Sequence, residues 1–191
     1  MTEIADDHVE WAVVHRLQMM LESPPTTEFN VTQTYALFMT ILCWTTQRIR
    51  TPDNGSQLGT IDRSAADVLK KLNEQFIETH PWSIKIDERC AGFRNSSAGH
   101  FIIALRGACA HGDGRKIKPY HTKVAGRGQR QLAGFTFQCG KSKTITLLEK
   151  DMRHIGKLLA GMFCESVQGI AKNRGDLRFD HDAATVIETA I

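Results

Sequence analysis

The chain has 191 residues, enough to bury one sizeable core, and a single domain is the simplest division. With 41% hydrophobic and 24% charged residues, 15 glycines and 5 prolines, the composition excludes a disordered or fibrous protein. A formal net charge of +3 excludes a polycation, although the charge is unevenly placed.

Residues 1–30 hold six acids against one base. The opening MTEIADDHVEW has no basic start followed by an apolar run, so no secretory signal is expected. The first helix is predicted from Ile4 to Glu22, stopped by Ser23-Pro24-Pro25. A second runs from Val31 to Arg50. Its centre, Tyr35 to Trp44, is apolar on nearly every face, as in a helix surrounded by others. Thr40 interrupts that stretch, and it is too short to span a bilayer. The expected setting is cytoplasmic, with no membrane partner. Thr51 to Thr60 carries Pro, Asp, Asn and two glycines and reads as a loop.

A third helix is predicted over Asp62 to Thr79, with Ala65, Leu69, Leu72 and Phe76 as its buried stripe, ended by His80-Pro81. A fourth starts at the Asn95-Ser96-Ser97 cap cluster, carries Phe101, Ile102, Leu105 and Cys109, and stops at Gly112-Asp113-Gly114. Arg115 to Arg130 then holds Arg115, Lys116, Lys118, Lys123, Arg127 and Arg130 with no acid. Such a run is either a solvated loop or an edge that attracts a polyanion.

Leu132 to Cys139 and Lys143 to Leu147 are rich in Phe, Thr and Ile around Gly140 and Ser142, and are predicted to form a β-hairpin. Thr146-Leu147-Leu148-Glu149 matches a capping box that opens the last helix. Leu148, Met152, Ile155, Leu159 and Met162 give that helix one apolar stripe up to Ala171. The expected fold class is therefore mainly α: a bundle of about five helices with a β-hairpin inserted before the last long helix. Residues 1–171 form the domain and 172–191 a loosely held tail.

The five cysteines, Cys43, Cys90, Cys109, Cys139 and Cys164, are odd in number, and no pair has metal-ligand spacing. They read as reduced thiols, buried like small hydrophobes. With no Cys/His/Asp cluster in the sequence, neither a metal nor another cofactor is expected. Trp11, Trp44 and Trp82 read as core or interface anchors. His154, beside Asp151, reads as part of a solvated helix face.

An arginine four to six residues ahead of a histidine occurs as Arg94/His100, Arg106/His111, Arg115/His121 and Arg174/His181. Context separates these pairs. Arg106/His111 alone follows an apolar run, Phe101 to Leu105, has small residues between its members and ends at a glycine. Leu105-Arg106-Gly107-Ala108-Cys109-Ala110-His111-Gly112 resembles the signature of the HEPN superfamily (higher eukaryotes and prokaryotes nucleotide-binding). The order of elements is similar to that family's bundle over residues 1–170. Leu132 to Phe135 and Asp151 to Gly156 look like a plasmid-borne bacterial subfamily.

The resemblance implies a metal-independent endoribonuclease of a toxin or defence system, using an Arg-x4-His motif. In such chemistry the RNA supplies its own 2′-hydroxyl nucleophile. His111 would act as the base and Arg106 as the phosphate clamp, with Arg115, Lys116 and Lys118 as RNA-binding residues. Residues five apart lie about 140° from each other around a helix. Either the helix ends at Ala110 or the pair meets across a two-fold interface, and the homodimer is the expected arrangement. One departure stands out: active members usually carry a polar residue, most often asparagine, where this chain has Gly107. The alternative is an inactive HEPN module that binds nucleic acid or nucleotide, or a dimeric partner in a toxin–antitoxin complex. Outside the resemblance, Arg106 reads as the partner of an acid and His111 as a helix-end cation.

Overall fold

Apolar periodicity organises most of the structure, a computed structural model that describes residues 9–24, 29–46, 60–84, 88–110, 115–123 and 130–174. The helices are α1 (Val9–Glu22), α2 (Asn30–Thr46), α3 (Thr60–Asn73), α4 (Ala98–Ala110) and α5 (Glu149–Arg174), with a 3-10 turn at Glu88–Cys90. Strands β1 (Ile117–Lys123), β2 (Arg130–Gln138) and β3 (Thr144–Leu148) form an antiparallel sheet in that order. The class is thus mainly α, with more strand than a single hairpin. The predicted loop at 51–59, the stop at 112–114, residues 175–191 of the predicted tail and His111 itself lie outside the described residues, while 172–174 of that tail continue α5.

The helix α5 packs against α1, α2 and α3, while α4 packs against α2, α3 and β2. Met152, Ile155 and Leu159 of α5 are fully buried in one core cluster with Phe38, Ile41 and Leu42 of α2 and Phe101, Ile102 and Leu105 of α4. Phe163 takes the inward place on the last turns, and Met162 is only half-buried. At Gly156 an added Cβ would stand 2.6 Å from Leu21 Cδ1 and 3.5 Å from Phe38 Cδ2. Glycine there lets α5 approach α1 and α2 closely. Among the described residues, no helix is long and apolar enough to cross a membrane.

Four local expectations are corrected. Helix α3 ends at Asn73 rather than Thr79, because the backbone that follows bonds across to the start of α4. Ala98 N donates to Gln75 O at 2.8 Å, and Ile77 N donates to Ser96 O at 3.3 Å. Ile77 is therefore fully buried, while Phe76 is 53% exposed. Helix α2 is not enclosed on all sides, since Tyr35, Met39 and Cys43 are half-buried and Trp44 is exposed.

The basic stretch after α4 is partly a strand: β1 pairs with β2 from Ile117↔Phe137 to Lys123↔Arg130, with an irregularity between Tyr120 and His121. Its proline and lysines suit an edge, where a missing N–H costs nothing and charge discourages further pairing. Finally, Thr146 stays in β3, its hydroxyl 2.8 Å from that of Thr136. The cap of α5 is formed instead by Leu148 N donating to Asp151 Oδ2 at 3.0 Å. The predicted Thr146/Glu149 box shares the logic of a side chain reaching back to a free amide, but two residues later.

Candidate functional site

Helix α4 is the element that positions the motif. Ser97 Oγ accepts the His100 amide at 3.1 Å and so satisfies a free donor of the first turn. Phe101, Ile102, Leu105, Ala108 and Cys109 then bury one face. Arg106 lies at the margin of that face and is half-buried. Its guanidinium is close enough to Cys43 of α2 to act on the thiol. Burial pushes the Cys43 pKa up, and the Arg106 charge offsets part of that rise. Tyr35, on the same side of α2, is also pushed up by burial, then by Cys109 and Cys43. Among the described residues Arg106 makes no hydrogen bond and no ion pair, so the expected acidic partner is absent from that set.

The other flank of α4 faces a cleft of about 670 Å³. Ala104, Gly107 and Ala108 form its floor, Lys116 enters from the start of β1, and Gln138 to Lys141 close it from the β2–β3 turn. A Cβ added at Gly107 would meet nothing within 4 Å. Arg106 is two positions from both Ala104 and Ala108, and two helical positions are about 200° apart. The arginine therefore projects away from this cleft. Of the predicted RNA-binding residues, Lys116 lines the cleft, whereas Arg115 and Lys118 are exposed beside it. Arg106 and Lys116 thus stand on opposite sides of α4, and His111 lies outside the described residues.

The cysteines are free thiols; Cys90, Cys109 and Cys164 are buried as expected, whereas Cys43 and Cys139 are half-buried. Burial drives the Cys109 thiol far above its ordinary range, with Cys43 and Cys139 adding to the rise. Cys139 is pushed up to about 12 by burial and by Cys90, against an opposing effect of Lys143. Cys164 reaches about 12 through burial and Glu165. None of these three is a ready nucleophile near neutral pH. Among the described residues no group of three His, Cys, Asp or Glu side chains could hold a metal.

Sequence reasoning missed a polar clamp built on Arg153. Its Nη1 donates to Leu21 O and, at 3.1 Å, to Ser23 O. Its Nη2 donates to Thr34 Oγ1 at 3.1 Å and to Glu149 Oε1 at 3.0 Å. One guanidinium so ties the end of α1 to α2 and to the start of α5. The neighbouring His154 donates from Nε2 to Pro81 O at 3.0 Å. Asp151 is engaged by Leu148 N and by Arg89, 3.6 Å away. Lys143 was also missed; its ammonium donates to His100 Nε2 at 3.2 Å and sits 5.5 Å from the Phe93 ring centroid. The only sequence signal for it was its place beside a hairpin turn. No protein-family model, curated protein or solved structure matches this chain.

Proposed function

We propose that the chain is a HEPN-type protein that cleaves RNA without a metal, acting in the cytoplasm as an effector of a toxin or defence system. The observation that carries this reading is the state of Arg106: half-buried on α4, with no carboxylate matched to it among the described residues. A guanidinium held partly out of water and unmatched by an acid is suited to phosphate oxygens, which it grips through two parallel N–H donors. In the proposed reaction His111 removes the 2′-hydroxyl proton as that oxygen attacks the adjacent phosphorus. The bond from phosphorus to the 5′-oxygen breaks, and the leaving oxygen takes a proton from an imidazolium or water. The products are a 2′,3′-cyclic phosphate and a 5′-hydroxyl, while Arg106 stabilises the charge gathered on phosphorus.

A homodimer completes this reading. Ile103 and Ala110 lie three residues before and four after Arg106, on the same stripe of α4, and both are exposed. Apolar positions on either side of a cation suit a two-fold contact, which would bring two copies of the motif together. A cognate antitoxin is the other protein partner this reading admits. The second reading is an inactive module that binds RNA or nucleotide, and the open space at Gly107 favours it: no side chain extends from that position.

The test is incubation of RNA in EDTA with the wild type, Arg106→Ala and His111→Ala. Both variants are expected to lose cleavage by a factor of about 10²–10⁴ for the lost base and comparably for the lost clamp. Cleavage that survives His111→Ala, or that requires added magnesium, refutes the mechanism. Retained RNA binding with no cleavage selects the inactive module. A monomer at micromolar concentration in light scattering removes the dimer.

A further inference from the structure

The cleft between α4 and the β2–β3 turn lies on the flank of the helix opposite Arg106 and shares Lys116 with the RNA reading. Three features give it a definite chemistry. Its floor is built from Ala104, Gly107 and Ala108, so nothing larger than a methyl group rises into it. Lys116 and Lys141 reach it from two different strand ends, and neither has an ion pair among the described residues. Among the described residues no acid lines the space, and the Cys139 thiol, held protonated by burial, adds no negative charge near neutral pH.

Gln138 supplies the third feature. Its Nε2 donates to Gly140 O and lies 3.4 Å from Lys143 O, which fixes the amide with nitrogen toward the turn. The Oε1 acceptor is left without a partner among the described residues. One turn before Ala104 on the same flank, His100 holds the Lys143 ammonium at 3.2 Å. A volume of about 670 Å³ suits a small molecule rather than a protein segment.

We propose that this cleft binds a phosphate monoester, with the phosphate between Lys116 and Lys141 and the organic body lying on the Ala104–Gly107–Ala108 floor. Two ammonium groups match a phosphate dianion better than a singly charged carboxylate. Gln138 Oε1 would accept from a hydroxyl or N–H of the organic body. The site does not use Arg106 and shares only Lys116 with the RNA reading, so Arg106→Ala separates failure of one from failure of the other.

The experiment is calorimetric titration of the full chain with inorganic phosphate, ribose 5-phosphate and adenosine 5′-monophosphate, with ribose and adenosine as unphosphorylated controls. A monoester is expected to bind and its unphosphorylated control not to. Binding of ribose 5-phosphate and adenosine monophosphate alike identifies the phosphate and sugar as the recognised parts; preference for the nucleotide adds the base. The double variant Lys116→Gln/Lys141→Gln should weaken binding about tenfold or more, through loss of two charge-assisted contacts.

Gly107→Leu should abolish binding by filling the floor while keeping the helix, since leucine is the better helix former. A thermal melt confirms that each variant is folded. Arg106→Ala should leave binding unchanged. The proposal is overturned by equal binding in the double lysine variant, by loss of binding in Arg106→Ala, or by inorganic phosphate alone binding as tightly as any ester. It is also overturned if no monoester binds at millimolar concentration, including when an RNA oligomer does.

Discussion

Replacing Arg153 with methionine separates the clamp from the packing around it. Methionine keeps most of the unbranched stem, so the loss is confined to the guanidinium. In the folded protein that group serves four oxygen atoms: Leu21 O, Ser23 O, Thr34 Oγ1 and Glu149 Oε1. The Arg153 and Glu149 side chains are 21% and 27% exposed, so water reaches them only in part. A hydrogen bond to a charged group contributes about 1.5–3 kcal/mol, and partial access of water after truncation recovers some of this. Counting the two better-shielded contacts, to Leu21 O and Thr34 Oγ1, the expected loss is about 2–4 kcal/mol.

For a domain of this size that corresponds to a fall in Tm of about 4–16 °C. Urea denaturation of the wild type, Arg153→Met, Glu149→Gln and the double variant gives both the loss and the coupling. The two single losses should exceed the double loss by about 1 kcal/mol or more, because both side chains share Thr34. Additive losses, or an Arg153→Met change within about 0.5 kcal/mol of the wild type, would refute the clamp as a stabilising element.

Two further outcomes follow from packing and burial. Gly156→Val should destabilise by about 1–3 kcal/mol, because its Cβ meets the fully buried Leu21; an unchanged urea midpoint would contradict the close approach of α5. Cys139 and Cys164 are raised to about 12 in the folded chain, above the ordinary thiol value of 9. The unfolded chain therefore loses these protons first, so stability is intact below about pH 9 and falls as pH rises from there toward 12. Urea midpoints at pH 7.5 and 10 check the sign, and a midpoint that rises with pH contradicts it.

What was legible in the sequence was whatever repeats along one element. The stripe Met152, Ile155, Leu159 announced α5, and Phe101, Ile102, Leu105 announced α4, because burial of one helix face leaves a period in the chain. The errors lie where a distant segment competes for the backbone. Phe76 fits the α3 stripe, yet the bonds from the Gln75–Ile77 backbone to residues 96–98 end the helix and turn Ile77 inward instead. Ile117 to Lys123 shows little alternation, since an edge strand beside β2 is exposed along most of its length. Arg153 looked like any surface cation of α5, because all its partners but Glu149 come from residues more than a hundred positions away. The Arg106 motif was visible for the opposite reason: a cation inside a run of apolar and small residues is a local contrast.

The geometry of α4 turns that local contrast into a division of labour. A helix this narrow presents flanks that point in opposite directions, and neighbouring positions are about 100° apart. Arg106 projects toward Cys43 and α2, with Ile103 and Ala110 on its own stripe. Ala104 and Ala108, two positions to either side, project toward Lys116 and the β2–β3 turn. Gly107 lies between the two directions and bears no side chain, so it walls off neither. A residue with a polar side chain at that position would stand at the boundary, able to reach either a phosphate gripped by Arg106 or a ligand on the alanine floor. Glycine in its place separates the two flanks chemically. In the proposed reading the guanidinium is the group α4 supplies on the Arg106 side, and the proposed cleft site relies on its lysines and Gln138.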